Sequence, residues 1–305
     1  MNRPKIISLG EVLWDLFPDG PRFGGAPANF ACHSAILGGE VTMVSAVGDD
    51  ESGREAIRIL DGFEIDTKMI QVDPKAPTGE VKVDIDVDGD HEFTIHEGSA
   101  WDQLEWTQEL EQKAAQADAV YFGTLGQRGE SSRSTIQRAL DVAKTAGVLR
   151  ILDINLRAPF FDDQLIRESI KLASVLKLSH EELGAVARAC GIQSNGDRLS
   201  DLQALRENFG LELIVMTRGP DGALLVKENS TFDQPGIPTK VVDTVGAGDS
   251  FTAAFLIGLL SENSTETIED STETILRAAC ETAAKVCAQP GAVPDQTRSI
   301  NSSSA

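Results

Sequence analysis

Buried strands and amphipathic helices alternate along most of this chain, and this alternation constrains the fold more than any other feature. Short apolar runs that end at or near a glycine, such as residues 6–9 and 119–123, are typical of strands buried on both faces. Repeated strand–helix units build a mostly parallel sheet covered by helices on both sides. The sequence therefore predicts an α/β fold with a doubly wound, mostly parallel sheet flanked by helices.

The elements can be placed along the chain from periodicity and from capping residues. Helices are expected at residues 28–37, 52–60, 106–115, 132–145, 164–172, 180–189, 197–209, 247–260 and 271–288. Strands are expected at 6–9, 41–47, 119–123, 149–154, 175–178, 213–217 and 223–226. Ser52 is the expected N-cap of the second helix, with Glu55 three residues later completing a capping box.

Residues 81–95 follow a different pattern, with apolar and charged residues in strict alternation. Asp88-Gly89 offers a turn, so the segment predicts a half-exposed antiparallel hairpin. We interpret the chain as one domain, residues 1–305, with a small β-sheet lid formed by segments of about 12–24 and 78–99. An edge hairpin without a function explains the same alternation equally well.

Composition excludes several classes of function. Lys and Arg total 27 against 48 Asp and Glu, a formal charge of −21, which disfavours nucleic-acid and membrane-surface binding. An anionic substrate would need a local positive site. The longest apolar run, residues 251–260, is about half a membrane span, and no secretory signal is recognisable. The four cysteines are scattered, which suits a reducing cytoplasm.

The segment DTVGAGDSF, residues 243–251, has the clearest chemistry. Glycines around one alanine at a helix N-terminus leave backbone N–H groups open to an anion. A carboxylate beside that site, Asp249, could remove a hydroxyl proton during phosphoryl transfer. From Gly-x-Gly-Asp alone, a simple helix cap is at least as good an explanation. Phe251 replaces the third small residue of a dinucleotide fingerprint, and no Gly-Lys pair of a P-loop occurs.

Residues 243–251 closely resemble the C-terminal signature of the ribokinase-like (PfkB) carbohydrate kinases, and further matches follow in order over nearly the whole chain. The resemblance implies an ATP-dependent sugar kinase with Asp249 as general base. The amides of Gly246, Ala247 and Gly248 would stabilise charge on the transferring phosphoryl group.

The sugar end of the site is also implied by resemblance. Gly10-Glu11 and Asp15 resemble the first sugar-binding strand of the family, and residues 24–29, GGAPAN, resemble its Gly-Gly motif in the form common among fructokinases. Asp15, Gly25 and Asn29 would then hydrogen-bond sugar hydroxyls, and fructose is the first expected substrate. Without the later signature, a loop glycine and a first-turn helix residue would explain Gly25 and Asn29 as well.

The nucleotide and metal residues are implied in the same way. Asp153-Ile154-Asn155-Leu156-Arg157 resembles a D-x-N-x-R strand end, and residues 179–182 resemble an N-x-x-E segment with Ser for Asn. The residues expected at ATP are Asn155, Arg157, Lys177, Ser179, Thr217, Gly219 and Gly222. Glu182 would organise Mg²⁺ through water. The positions matching a K⁺ site of relatives are Asp243, Val245, Val286, Gln289, Gly291 and Asp295.

One departure weakens the assignment of fructose. Fructokinases of this family commonly have a lid Arg in a sequence like F-x-R-x-x-A-D, whereas this chain has TIHEGSAWD at residues 94–102. A kinase for ribose, 2-keto-3-deoxygluconate or a nucleoside therefore stays open, as does a non-catalytic sugar or nucleotide sensor on the same fold. Relatives often form homodimers through the lid, although acidic residues in this hairpin would oppose such packing.

Overall fold

The main sheet organises the whole molecule. The structure is a computed structural model that describes residues 3–85, 91–261 and 268–294. In this part of the chain the strands are β1 (Lys5–Leu9), β2 (Leu13–Phe17), β3 (Gly20–Gly24), β4 (Glu40–Gly48), β5 (Ile70–Asp73), β6 (Gly79–Ile85), β7 (His91–Ile95), β8 (Ala119–Gly123), β9 (Leu149–Asp153), β10 (Val175–Ser179), β11 (Leu213–Thr217), β12 (Ala223–Val226) and β13 (Thr231–Gln234). Nine of these described strands form one sheet in the order β13-β12-β11-β10-β9-β8-β1-β4-β5.

The strand pairing confirms the predicted fold class. Strands β5, β4, β1, β8, β9, β10 and β11 are parallel, and β12 and β13 add an antiparallel edge. The chain runs outward from β1 to β4 and β5 on one side, then returns to β8 on the other. The strand order therefore reverses between β1 and β8, and such a switch point opens a crevice at the carboxyl ends of the strands.

Helices cover both faces of this sheet. Their bounds are α1 (Ala26–Ile36), α2 (Glu51–Gly62), α3 (Gln108–Gln116), α4 (Glu130–Thr145), α5 (Asp163–Leu172), α6 (Leu183–Ala189), α7 (Arg198–Phe209), α8 (Ala247–Leu260) and α9 (Ile268–Cys287). One apolar core joins the sheet to α1, α2, α8 and α9, and the other joins it to α3–α7. No helix within the described ranges is both long and apolar enough to cross a membrane.

A second sheet of four described strands, in the order β3-β2-β6-β7, covers the crevice. The predicted hairpin is confirmed, because β6 and β7 pair antiparallel with Val81 opposite Ile95. Strand β2 joins this hairpin by parallel pairing with β6 and pairs antiparallel with β3. The predicted turn Asp88-Gly89 lies outside the described residues. We refer to this four-stranded sheet as the lid sheet.

The predicted first residue of α2 and its predicted N-cap are both wrong. Helix α2 begins at Glu51, and Asp50 rather than Ser52 is its N-cap. The Asp50 carboxylate accepts hydrogen bonds from Gly53 N at 2.7 Å, Thr78 Oγ1 at 2.7 Å and Thr78 N at 2.9 Å. A carboxylate has room for all three of these donors, whereas a hydroxyl oxygen has only two acceptor lone pairs. Asp50 therefore fixes both α2 and the residue that precedes lid strand β6.

Candidate active site

A cavity of about 260 Å³ lies where the lid sheet faces the crevice of the main sheet. Its floor comes from the carboxyl ends of β1, β8, β9 and β10 and from the N-terminal turns of α1 and α8. Its roof comes from Leu13, Asp15, Val81, Phe93 and Ile95 of the lid sheet. The remaining described residues that line it are Glu11, Gly25, Ala26, Asn29, Leu125, Asn155, Arg157, Lys177, Thr244, Val245, Gly246, Gly248 and Asp249. Most of the sequence-predicted sugar and catalytic residues thus meet in one place.

Asp249 is held in this cavity by a residue far away in the chain. It lies in the first turn of α8 and accepts a hydrogen bond from Asn29 Nδ2 on α1 at 2.9 Å. Burial raises the pKa of Asp249, while the Asn29 bond and the cations Lys177 and Arg157 act to lower it. A carboxylate with one fixed oxygen and a raised pKa is suited to accept a proton from an alcohol.

Two glycines let the backbone adopt the shape of the site. Gly246 precedes α8 in the left-handed region, with φ of 78°, and a Cβ there would lie 2.5 Å from Ala292 O. Gly25 precedes α1 with φ of 101°, and a Cβ there would lie 2.6 Å from Glu11 O. Any larger residue would therefore clash at both positions. Helix α8 is apolar around much of its circumference and packs between α1 and α9, which fixes its N-terminus in the cavity.

Two cations face the N-terminus of α8. Lys177 is buried on β10, and its Nζ is 3.0 Å from both carboxylate oxygens of Asp153. The Lys177 Nζ is also close to the first turn of α8, because a Cβ on Gly248 would lie 3.2 Å from it. Burial would lower the pKa of Lys177, but the facing carboxylate of Asp153 raises it, so the ammonium stays charged. Arg157 is exposed to the cavity from the loop after β9, next to Asn155, whose φ is 40°. Lys177 and Arg157 are the two cationic side chains among the described residues that line the cavity.

Glu182 has a second role besides the one expected from sequence. Its Oε1 accepts a hydrogen bond from Leu156 N and its Oε2 one from Ser179 N, each at 2.7 Å. The carboxylate therefore joins the loop after β9 to the end of β10. The predicted helix start at residue 180 is wrong, because residues 180–182 form a turn and α6 begins at Leu183. Each carboxylate oxygen keeps a free acceptor site, which fits a metal-bound water but not a closely chelated metal.

The other predicted nucleotide residues lie beside this cavity rather than in its lining. Ser179 and Thr217 are opposite each other at the ends of β10 and β11. Gly219 follows in an exposed turn, and Gly222 closes it. A Cβ on Gly222 would clash with Gln234 O, so packing against β13 alone requires glycine there. Gly219, in contrast, has open space around it. Contact of these residues with ATP stays a prediction.

The residues expected at a K⁺ site are partly brought together. The Asp243 carboxylate accepts hydrogen bonds from Val245 N and Gly291 N, each at 3.0 Å. It thereby joins the loop before α8 to the loop after α9. Val286 and Gln289 lie at the end of α9, where Gln289 N donates to Val286 O. Asp295 lies outside the described residues. Among described His, Cys, Asp and Glu side chains, no group of three or more is arranged to hold a metal.

The sequence analysis missed two contacts near the site, and it gave no role to a third residue, Glu11. His33 on α1 is buried, and its Nε2 lies 2.8 Å from Ala292 O, so this contact holds the C-terminal loop. Arg128 donates to both Asp102 oxygens at 2.8 and 2.9 Å and to His96 O at 2.6 Å, so a guanidinium lies at the base of β7 although the expected lid Arg is missing. Glu11 is buried beside Gly25 and lines the cavity. Its signal was an acidic residue directly after a buried strand and a glycine.

Comparisons with known proteins agree with this geometry. The model of the pfkB family of carbohydrate kinases matches residues 20–298. A fructokinase of Klebsiella pneumoniae is 33% identical over 84% of both chains, and the probable fructokinase-5 of Arabidopsis thaliana is 31% identical over 96% of this chain and 94% of its own. The crystal structure of Vibrio cholerae fructokinase with fructose, ADP and calcium ion superposes with a TM-score of 0.80 at 26% identity, covering 98% of each chain. The chain therefore belongs to the pfkB family of carbohydrate kinases and is an ATP-dependent sugar kinase.

Proposed function

We propose that this kinase transfers the γ-phosphoryl group of ATP to a hydroxyl of a neutral sugar, with fructose as the first expected acceptor. One observation carries the proposal. Asp249, fixed by Asn29, faces one cavity together with the cations Lys177 and Arg157 and the lid residue Asp15. An acceptor hydroxyl beside Asp249 would then stand between a sugar-binding end and a phosphate-binding end.

The residues divide the chemistry between them. Asp249 accepts the proton of the sugar hydroxyl as the hydroxyl oxygen bonds to the γ-phosphorus, while the bond from that phosphorus to the β,γ-bridging oxygen breaks and ADP leaves. The amides at the start of α8, at Gly246, Ala247 and Gly248, stabilise negative charge on the moving phosphoryl group. Ala247 N is already engaged with Thr244 O at 3.3 Å, a long bond that it can exchange for a phosphate oxygen. Arg157 and Lys177 complete the anion site with charge-assisted contacts.

The lid sheet would act by excluding water. Val81, Phe93 and Ile95 present apolar surface to the cavity from the hairpin, and Asp15 on β2 presents a carboxyl group to the sugar. Closure over the bound sugar suppresses ATP hydrolysis and strengthens the electrostatic contacts inside. The segments 12–24 and 78–99 remain our proposed lid boundaries within one kinase domain.

Magnesium and potassium fit the donors present in different ways. Mg²⁺ keeps several waters and is held chiefly by substrate phosphates, so Glu182, with both oxygens already accepting backbone N–H groups, would bind it through water. The metal would neutralise charge on the ATP phosphates. Backbone carbonyls of the loops that Asp243 joins are the proposed K⁺ ligands, together with Asp295.

The cavity favours a neutral sugar over the other acceptors. Asp15 and Asp249 place two carboxyl groups at the cavity, and their ionised forms would repel a sugar acid such as 2-keto-3-deoxygluconate. Phe93 is the one aromatic ring among the described lining residues, which is little stacking surface for a nucleoside. The names of the relatives that match this chain support fructose among neutral sugars.

An acceptor panel tests the proposal. ADP release is measured with Mg-ATP and fructose, ribose, 2-keto-3-deoxygluconate or a nucleoside, each with and without K⁺. We expect fructose to give the highest kcat/KM. Faster turnover of the sugar acid would contradict the proposed acceptor. Binding of sugar and ATP by calorimetry without any ADP release would identify a sensor instead.

A further inference from the structure

Glu11 is the one buried acid of the cavity to which no role has been given. It follows β1 at the point where the strand order reverses, and its side chain is 3% exposed. Its Oε2 has no hydrogen-bond partner among the described residues. A Cβ on Gly126, just after β8, would lie 3.4 Å from this oxygen, so the carboxyl group fills the gap between the two central strand ends.

The same side chain supports the proposed sugar-binding loop. A Cβ on Gly25 would lie 2.6 Å from Glu11 O and 3.5 Å from Glu11 Cγ. Glu11 thus forms the layer directly beneath Gly25, which is expected to contact the sugar. Removing its side chain would leave a space under this loop, into which the loop could move.

The charges around Glu11 decide its protonation state. The ionisable groups that face it are Asp249 on α8, Arg157 after β9, Arg128 after β8 and the buried phenol of Tyr121 on β8. An ionised carboxylate is costly to bury when the hydrogen bond from its own backbone N–H is its one stabilising contact and its second oxygen has no partner among the described residues. Burial raises the pKa of Glu11 to about 7, and the charge of Asp249 adds to this effect, while the hydrogen bond from the Glu11 backbone N–H and the two arginines oppose it.

We propose that Glu11 is a positioning residue for the phosphoryl transfer and that it acts in its neutral, protonated form. This inference rests on the proposed function. A neutral Glu11 supports Gly25 without adding a third negative charge to the cavity that receives the phosphoryl group. Once ionised, it repels both the carboxylate of Asp249 and the phosphates of ATP.

The test compares Glu11→Gln, which stays neutral at every pH, with Glu11→Ala and with the exposed control Glu109→Gln on α3. We expect wild type and E109Q to lose about tenfold in kcat/KM for the sugar as the pH rises from 6 to 8.5, because Glu11 ionises near pH 7. Burial raises the pKa of Asp15 to about 6, but Asp15 is present in every variant, so the comparison isolates Glu11. E11Q should have about wild-type activity at pH 6, and its kcat/KM should not fall between pH 6 and 8.5. E11A should raise the KM for the sugar about tenfold at every pH, with the KM for ATP within about twofold.

Thermal unfolding gives a readout that does not depend on activity. The folded protein binds the Glu11 proton more tightly than the unfolded chain, so this group stabilises the fold at low pH and loses that effect as the pH rises from about 4.5 to about 7. The Tm of E11Q should therefore rise relative to wild type over this range. Two outcomes overturn this inference alone. In the first, wild type is active but kcat/KM falls at alkaline pH in E11Q as well. In the second, E11Q is as impaired as E11A at pH 6. A wild type inactive on every sugar overturns the proposed function as well.

Discussion

Asn29 and Asp249 are 220 residues apart in sequence, yet Asn29 Nδ2 donates a 2.9 Å hydrogen bond to Asp249 Oδ2. The contact joins the first turn of α1 to the first turn of α8, and the two helices also pack along their apolar sides. It leaves the second oxygen of Asp249 for the acceptor hydroxyl. The orientation of the proposed base therefore depends on the packing of two helices from opposite ends of the chain.

Removing this bond should change the pH dependence of the reaction. The Asn29 hydrogen bond lowers the pKa of Asp249, so Asn29→Ala should shift the acid limb of the kcat/KM profile to higher pH. We also expect a fall in kcat of about 10- to 100-fold from lost orientation. Ser34→Ala is the matched control, because Ser34 is buried on the same helix outside the cavity lining. An N29A profile with an unchanged acid limb would show that this bond does not tune the base.

Arg157 should matter more for ATP than for sugar. Its side chain lines the cavity and is the proposed phosphate contact, and contacts of a guanidinium to phosphate are charge-assisted. We expect Arg157→Gln to raise the KM for ATP about tenfold, with a smaller change in the KM for fructose. Arg138→Gln on α4, where the side chain lies over the Trp106 ring, is the control for loss of one positive charge. Equal effects of the two substitutions would remove Arg157 from the anion site.

The N-cap of α2 can be tested against the prediction from sequence. Asp50→Ala removes three hydrogen bonds and should lower the free energy of unfolding by about 1–2 kcal/mol, whereas Ser52→Ala should change it little. Burial alone would raise the pKa of Asp50, but bonds from Thr78 and Gly53 bring it below its usual value. This stabilisation is present above the unfolded pKa of the carboxyl and is lost as the pH falls through its folded pKa.

Urea unfolding at neutral and acid pH measures this difference. The gap between wild type and D50A should narrow in acid. A larger loss of stability in S52A than in D50A would restore Ser52 as the cap.

The fold could be predicted because local patterns carry it. Apolar runs of strand length, helical spacing and the alternation of residues 81–85 with 93–95 each depend on neighbours in the sequence, and the structure agrees with them. The glycines and acid of residues 246–249 were also visible, because an anion site at a helix N-terminus is local. These features placed Asp249 at the start of α8 before any tertiary contact was known.

The rest of the site depends on contacts between distant residues. Nothing local in the sequence shows that His33 reaches Ala292 or that Lys177 pairs with Asp153. Asp50 rather than Ser52 is the N-cap of α2 because Thr78, just before β6, adds an N–H and an O–H donor. The two oxygens of the Asp50 carboxylate accept both of these bonds and the bond from Gly53 N. Glu11 had a local signal, but its burial and its unpaired oxygen follow from the packing of Gly25 and Gly126 around it.

The most direct test of the account is the turnover of Asp249→Asn, which keeps the size of the side chain and an oxygen to accept the Asn29 bond. We expect kcat with the preferred sugar to fall by about 10²- to 10⁴-fold, with the Kd for ATP within about threefold of wild type. Thermal unfolding would check that the variant is folded. Near-normal kcat in a folded D249N would contradict the assignment of Asp249 as the base that receives the proton of the sugar hydroxyl.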